Sequence, residues 1–361
     1  MKKIVGIILA GGYSSRMGKL KPLLLLGEKT VLHRQIDCMK DAGVQDIIVV
    51  TGHRGEEVEK EALRWGAKAV HNPRYDQGMF TSLQAGIAAA QKGDYEGFFF
   101  LPVDHTLVRP YVLKLLVQPE LHYPYGIIYP TYQGKIGHPP LVSFGLAPEM
   151  LSYTGQGGAR EVLARHESNA LWVECGSGDI LRDMDTPGDY QEVQERYLRQ
   201  IPTDEECYGM LRAEKTPPRV VAHCEAVARK AVELAEKLAQ KGLPINLELT
   251  WSGALVHDIC RVQKNHAQEG ALVLRQNGFE QVAQIVAVHM EGTEQMVEEI
   301  SEASLVFYAD KITVGDTYVS LKQRWQDMDE KKRPFAGDKL QKAAAIEEKI
   351  KELLSETPWL T

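Results

Sequence analysis

Two sets of residues in this sequence have the types and spacing that chemistry on phosphates requires. The first begins at Leu9-Ala10-Gly11-Gly12-Tyr13-Ser14-Ser15-Arg16-Met17-Gly18. Glycines directly after an apolar run let backbone N–H groups approach a polyphosphate with no Cβ in the way. Arg16 and Lys21 add fixed positive charge for the same phosphates. Asp104 follows the apolar run Phe98-Phe99-Phe100-Leu101, and a second acidic cluster, Asp183-Met184-Asp185-Thr186-Pro187, lies far downstream. Two carboxylates converging on one Mg2+ would neutralise a triphosphate and set its α-phosphorus for in-line attack. A glycine pair alone is a tight turn, and a lone loop Asp is a turn or cap residue. It is the pairing of loop, cations and acids that carries the functional reading. The GxxxxGK[ST] spacing of a phosphate-loop ATPase is absent.

The second set is His223, the adjacent pair His257-Asp258, His266, His289 and Asp310. An adjacent His-Asp pair can offer both side chains to one metal from a helix end, while His223 and Asp310 arrive from helices before and after it. A single histidine in an amphipathic helix is ordinarily a satisfied core or surface residue. Six residues of metal-ligand type, with the pair flanked by Leu255-Val256 and Ile259, argue for a metal centre. Lys264 and Lys311 read most simply as solvated charges.

These residues need elements to position them. The first half alternates strand-like runs (Ile4 to Leu9, Asp46 to Val50, Phe98 to Leu101) with helical patterns near Thr30 to Ala42 and Gly55 to Trp65. That rhythm predicts an α/β unit with a mostly parallel, doubly wound sheet. Ligands of such sheets lie beyond the carboxyl ends of the strands, where the Gly11-Gly12 loop and Asp104 both fall. After Tyr190 the texture becomes all-α, with amphipathic stretches from Val220 to Leu238 and from Ala271 to Val288. The expected organisation is a first domain over 1–198, a connector with some helix over 199–214, a helical domain over 215–345 and a tail over 346–361. The Lys- and Glu-rich stretch from Trp325 onward is expected to end in a solvated helix.

Composition sets outer bounds on all of this. With 361 residues, 44% of them hydrophobic and 25% charged, the chain can build two cores. Acidic residues outnumber basic ones 49 to 42, for a net charge of −7, which argues against a nucleic-acid partner. Cys38, Cys175, Cys207, Cys224 and Cys260 are scattered singly without a CxxC pair, as in a cytoplasmic protein with reduced thiols. The apolar run in MKKIVGIILAGG, about six residues long, is too short for a signal sequence and reads as the first strand. No apolar run approaches the roughly 18 residues of a membrane helix.

LAGGYSSRMGKLKPLL, IIVVTGHRGEEV, HNPRYDQGMFTSLQAGI, GKIGHPPLV and DMDTPGDY span nearly all of residues 1–190. In order and spacing they resemble the molybdenum cofactor cytidylyltransferases. The resemblance implies a Rossmann-like nucleotidyltransferase that moves a nucleoside monophosphate from an NTP to the terminal phosphate of a molybdopterin-type acceptor and releases pyrophosphate. A molybdenum hydroxylase would then receive the cofactor. CTP is favoured by the Arg16-to-Lys21 spacing and by DMDTP. GTP is the alternative, because Leu9-Ala10-Gly11-Gly12 reads like the loop of the sister guanylyltransferases. Carried over, Leu9, Ala10, Gly11, Gly12, Arg16, Lys21 and Asp104 would contact the nucleotide, Arg16, Lys21 and Asp104 being catalytic, and Asp104 with Asp185 would hold Mg2+. Asn72, Gly78, Ser82, Gly137 and His138 would shape the pterin side. Read from the residues alone, Asn72 and Ser82 could equally be caps and His138 a packed turn histidine. The chain departs from the family pattern at Gly155-Gln156-Gly157-Gly158-Ala159-Arg160 and at His105, where relatives often carry Met-Pro.

HCEAVARKAVELAEKL, ALVHDICR, HAQEGALVLRQNGF and YADKI are similar to the HD phosphohydrolase superfamily in its HDIG-like form, over about residues 215–320. That resemblance makes His223, His257, Asp258 and Asp310 ligands of a first metal, with Asp258, a catalytic residue, bridging to a second held by His266 and His289. It implies one or two divalent transition metals of the Mn/Fe/Co/Ni class and a phosphoester or nucleotide substrate attacked by a metal-activated water. Cys260-Arg261 stands where Gly-Lys is usual. Two other readings stay open: a sugar-phosphate or polyol-phosphate acceptor for the transferase, and a non-catalytic, regulatory HD module.

Overall fold

The computed structural model describes residues 3–118, 126–330 and 337–355, apart from the side chains of 327–330. It divides into two compact units, Met1–Arg199 and Gln200–Thr361.

The first unit is built on β1 Ile4–Ala10, the short β2 Leu25–Leu26 and β3 Lys29–Thr30, then β4 Asp46–Thr51, β5 Lys68–His71 and β6 Gly97–Pro102. β7 Ile127–Tyr132, β8 Lys135–Ile136, β9 Leu141–Ser143 and β10 Ala170–Glu174 follow. The main sheet runs β10-β7-β9-β6-β1-β4-β5, with β8 paired to β7. β1 lies parallel to β4 (Val5 opposite Asp46) and to β6 (Ile4 opposite Gly97). Every residue of β6 is buried, as are Val5 to Ala10 of β1. Both strands therefore read as continuous apolar runs rather than alternating ones.

The sheet is more mixed than its rhythm predicts. β9 runs antiparallel to both β6 and β7, and β8 antiparallel to β7. These strands of two and three residues carry too little pattern to be read in advance.

Helices cover both faces. α1 Val31–Asp41, capped by Thr30, lies on one, where Gly6 leaves room for Met39. α2 Gly55–Arg64 precedes β5. α3 Met79–Ala90 crosses the other face, and Gly86 lets it approach Ile7 and Val50. Val5, Ile7, Leu9, Ile48, Val50, Leu83, Ile87, Phe98 and Phe100 form the core beneath α3. α4 Pro110–Leu116, α5 Ala147–Ser152, α6 Gly158–Ala164 and α7 Pro187–Leu198 complete the unit. From β1 the chain steps outward to β4 and β5, then returns to β6 on the other side of β1. The switch in direction opens a crevice at the carboxyl ends of β1 and β6, where the glycine loop and Asp104 emerge.

The second unit is predominantly helical. The stretch read as a connector contains α8 Asp204–Ala213, which starts with a Thr203–Glu206 capping box and buries Cys207, Met210 and Leu211. α9 Pro218–Gln240 presents Ala231, Leu234, Ala235 and Leu238 inward. α10 Leu247–Leu255 and α14 Glu302–Lys311 pack against it. The apolar pattern from Ala271 to Val288 is two helices, α11 His266–Gln276 and α12 Glu280–Val288. Gly278, at φ 81°, turns the chain between them in a conformation costly for other residues. α13 Glu294–Glu298 precedes α14. A small hairpin, β11 Thr313–Val314 with β12 Thr317–Tyr318, leads to α15 Leu321–Glu330. α16 Gly337–Ser355 buries Leu340, Ala343, Ile346 and Ile350, so the expected solvated helix has an inward face. The rest of the expected tail, 356–361, lies outside the described residues. No helix among the described residues is long and apolar enough to cross a membrane.

Candidate functional sites

In the first unit, residues separated by up to 164 positions in sequence meet at one lysine. Lys21 Nζ stands 2.6 Å from Asp185 Oδ1 and 3.3 Å from Asp104 Oδ2, and Arg16 holds the other Asp185 oxygen at 2.8 Å. Lys21 is buried and its backbone N–H donates to Ser14 Oγ at 3.1 Å, whereas the Arg16 side chain is 70% exposed. The hydrogen bond from Lys21 holds the Asp185 carboxyl below its usual range, against the opposing effect of partial burial. Asp185 sits at the threshold of α7, where Asp189 accepts from its backbone N–H at 2.9 Å and from that of Thr186 at 2.7 Å. Behind it, buried Asp179 takes a hydrogen bond from Arg196 Nε at 2.9 Å, tying α7 to the segment that carries Asp185.

The glycine loop starts where β1 ends. Leu9 and Ala10 are buried in the strand, and Gly12 is exposed with nothing near its Cβ position. Gly11 is tightly placed: a Cβ there would lie 3.3 Å from Ser82 Oγ and 3.4 Å from Gly52 N, and its carbonyl accepts from His53 N–H at 3.2 Å. Asn72 and Ser82 are buried and bonded to each other, Asn72 Nδ2 donating to Ser82 Oγ at 3.0 Å and to Thr81 Oγ1 at 2.9 Å. Neither caps a helix. Gly78 (φ 103°) opens α3, and Asn72 Oδ1 instead accepts from the Arg74 N–H within its own loop.

Gly137 and His138 come together with His105, next to Asp104. A Cβ at Gly137 would collide with Ile180, and the His138 N–H donates to the Ile180 carbonyl at 3.0 Å. The His105 and His138 rings lie 4.4 Å apart, each with an enclosed Nδ1 that meets no partner. Burial pushes both imidazoles down, His138 to about 3, so both are neutral at physiological pH.

In the second unit all six histidine and aspartate residues singled out from the sequence converge. α9 supplies His223, the turn after α10 supplies His257 and Asp258, α11 begins with His266, His289 caps α12, and Asp310 lies near the end of α14. Ligand atoms of His223, His257 and Asp258 lie within 4.8 Å of one another, and those of Asp258, His266 and His289 do the same. Asp258 belongs to both groups. His223 Nε2 is 3.1 Å from Asp310 Oδ1, and His266 and His289 Nε2 stand 3.2 and 3.3 Å from Asp258 Oδ1.

Main-chain carbonyls set the ring tautomers. His223 Nδ1 meets the Gly315 carbonyl, His257 Nδ1 that of Ala254 and His289 Nδ1 that of Val286, each at 2.7 Å. A carbonyl only accepts, so each Nδ1 must carry the proton. The Nε2 atoms of His257 and His289 then present lone pairs to the cluster, while His223 Nε2 donates to Asp310, which raises the His223 imidazole against the effect of its burial and leaves that proton to be displaced by a metal. The Nε2 atoms of His257 and His289 are buried with no hydrogen-bond partner, a vacancy in bonding that a metal ion would satisfy. Burial lowers His257 to about 4, which keeps it neutral and ligand-competent. Burial would raise Asp258, but contacts led by that with His266 outweigh it and hold the carboxyl well below its usual range. Asp310 is lowered likewise, Lys311 and His223 overcoming its burial.

Lys311 corrects the sequence reading. Rather than a solvated charge it is buried, its Nζ 2.6 Å from Asp310 Oδ2 and 3.1 Å from the His289 carbonyl. The apolar run Val306-Phe307-Tyr308-Ala309 before it was the available signal, since a cation in that setting is buried only when paired. Arg261, half exposed, contacts Asp258 at 3.3 Å and His266 Nε2 at 3.2 Å.

Both units match known families. Residues 6–170 match the model of the MobA-like NTP transferase domain, and residues 220–315 that of the HD domain. The chain is 32% identical over 200 residues to the molybdenum cofactor cytidylyltransferase of Escherichia coli (strain K12), covering 55% of this chain and 98% of the relative. It is 34% identical over 117 residues to the molybdenum cofactor guanylyltransferase of Xanthomonas euvesicatoria pv. vesicatoria, covering 32% of this chain and 55% of the relative. Among solved structures, a nucleotidyl transferase from Methanothermobacter thermautotroptrophicus aligns with a TM-score of 0.47 at 24% identity, covering 54% of this chain and 98% of the other. The chain thus belongs to the MobA-like nucleotidyltransferase family through its first unit, and its second unit is an HD domain.

Proposed function

We propose that the first unit transfers CMP from CTP to the terminal phosphate of a molybdopterin-type acceptor with release of pyrophosphate, and that the second unit is a metal-dependent phosphohydrolase acting on a phosphoester or nucleotide. The observation that carries the transferase reading is the meeting of Lys21 and Arg16 with Asp104 and Asp185 at the carboxyl ends of β1 and β6. The likeness to the cytidylyltransferase of Escherichia coli, which spans nearly all of that relative, supports the acceptor and the base.

The two carboxylates are hard oxygen donors and fit Mg2+, which would supply charge neutralisation at the triphosphate. Arg16 and Lys21 bind and orient the phosphates, and the glycine loop approaches them with backbone N–H groups. The acceptor phosphate is already an anionic nucleophile at neutral pH. The protein's task is therefore positioning and electrostatic stabilisation, with no general base required. In the second unit His223, His257, Asp258 and Asp310 would hold one transition metal, and Asp258, His266 and His289 a second. Such a centre supplies a water of lowered pKa. Arg261, at the exposed edge, can pair with the substrate phosphate.

Pyrophosphate release with Mg2+ and molybdenum-loaded molybdopterin, compared across CTP, GTP, ATP and UTP, tests the transferase. CTP should support release, and Asp104→Ala should lower the rate by about 100-fold or more. Release with sugar phosphates but not with the pterin would replace the acceptor.

A further inference from the structure

The carboxylates that a divalent cation would bridge in the first site are already bridged, by an ammonium. Lys21 Nζ reaches both Asp104 and Asp185, and only 8% of the residue is exposed. A cation bound to both carboxylates would lie about 2 Å from their oxygens. Two positive centres on those same oxygens would stand about 4 Å apart and repel, so a metal that takes both carboxylates works against Lys21 until the ammonium moves off. The hydrogen bond from its backbone N–H to Ser14 Oγ fixes where the side chain starts, beside the glycine loop. An ammonium this buried loses two counter-ions when it leaves the carboxylates, which is costly unless other anions receive it. Arg16 poses no such obstacle, because its exposed side chain can turn into solvent.

A triphosphate on the glycine loop supplies what is missing. Lys21 can pass from the carboxylates to phosphate oxygens while the metal takes the carboxylates. We infer, resting on the transferase reading above, that Lys21 is the resident counter-ion of the Asp104–Asp185 pair. Free divalent cation is then excluded from the carboxylate pair until a triphosphate is bound at the loop. Coupling of this kind is reciprocal: nucleotide tightens metal binding by the factor by which metal tightens nucleotide binding.

The test uses the full chain with Mn2+ as a paramagnetic probe, bound ion being followed by loss of the free-ion resonance signal. The HD centre would also take Mn2+, so sites of the first unit are identified as those that disappear in Asp104→Asn. Wild type is expected to show an Asp104-dependent site only with CTP or a non-hydrolysable analogue present. Lys21→Met should show that site without nucleotide, with free-Mn2+ affinity raised about 10-fold or more. Lys21→Arg keeps the charge and should exclude free Mn2+ as wild type does, which separates a charge effect from a damaged fold. Equal free-Mn2+ affinity in wild type and Lys21→Met would overturn the counter-ion assignment. So would an Asp104-dependent site in wild type that is indifferent to nucleotide. Failure of wild type to bind any nucleoside triphosphate by calorimetry would instead remove the transferase reading, and the nucleotide-free comparison would still judge Lys21.

Discussion

A neutral imidazole enclosed in the fold leaves a mark on stability. Burial holds His138 at about 3, below the ordinary value near 6.5 that it regains on unfolding. The unfolded chain therefore takes up a proton that the folded chain refuses. The corresponding stability is complete above about pH 6.5 and is lost as pH falls from there toward 3. The loss should approach about 1.4 kcal/mol per pH unit, or about 2 kcal/mol between pH 6.5 and 5. Urea midpoints at those two pH values should show it, and His138→Gln should flatten the difference; a variant with the wild-type slope would rule out His138 as its source. The residue scale also shows where sequence reading stops. The ligand types of the second unit stood out because histidines beside apolar neighbours are few and specific. The partners of Lys311 and Asp179 did not, because whether a charge is buried depends on what a distant segment places against it.

Among the elements, packing rests on close approach. Gly86 faces Ile7 and Val50 directly, and a Cβ there would stand 3.0 Å from Val50 Cγ2. Gly86→Val should force α3 off the sheet and cost about 2 kcal/mol, within the range of overpacked cores. Denaturant midpoints measure that cost, and an unchanged midpoint would show that α3 can shift freely. β1, β4, β6, α1 and α2 were legible because each is long enough to show its period. The division between α11 and α12 was not. Apolar residues continue in helical register on both sides of it, and only Asn277-Gly278 marks the turn. α8 was under-read for a related reason, since flanking prolines and a charged run obscure a helix whose capping box and buried face are regular. The crossing of β9 between β6 and β7 left no trace in a pattern of three residues.

At the scale of the whole molecule, the two units have separate cores and separate ligand sets. Each should therefore respond to its own ligand. Scanning calorimetry is expected to resolve two transitions. Mn2+ without nucleotide should raise the one belonging to the HD domain, by about 2.7 kcal/mol at a hundredfold excess over its dissociation constant, and metal with CTP should raise the other. A single transition moved equally by both would mean that the units unfold together. The centre of the second unit has a further, mechanical consequence. Its ligands begin at His223 and end at Asp310, 87 positions later. A metal held by both would close that stretch into a loop, as a staple does. Drawn out by its ends, the loaded chain would keep this length hidden until the ion broke free, then release roughly 300 Å of slack in one step. The stripped chain would yield the same length gradually and at lower force.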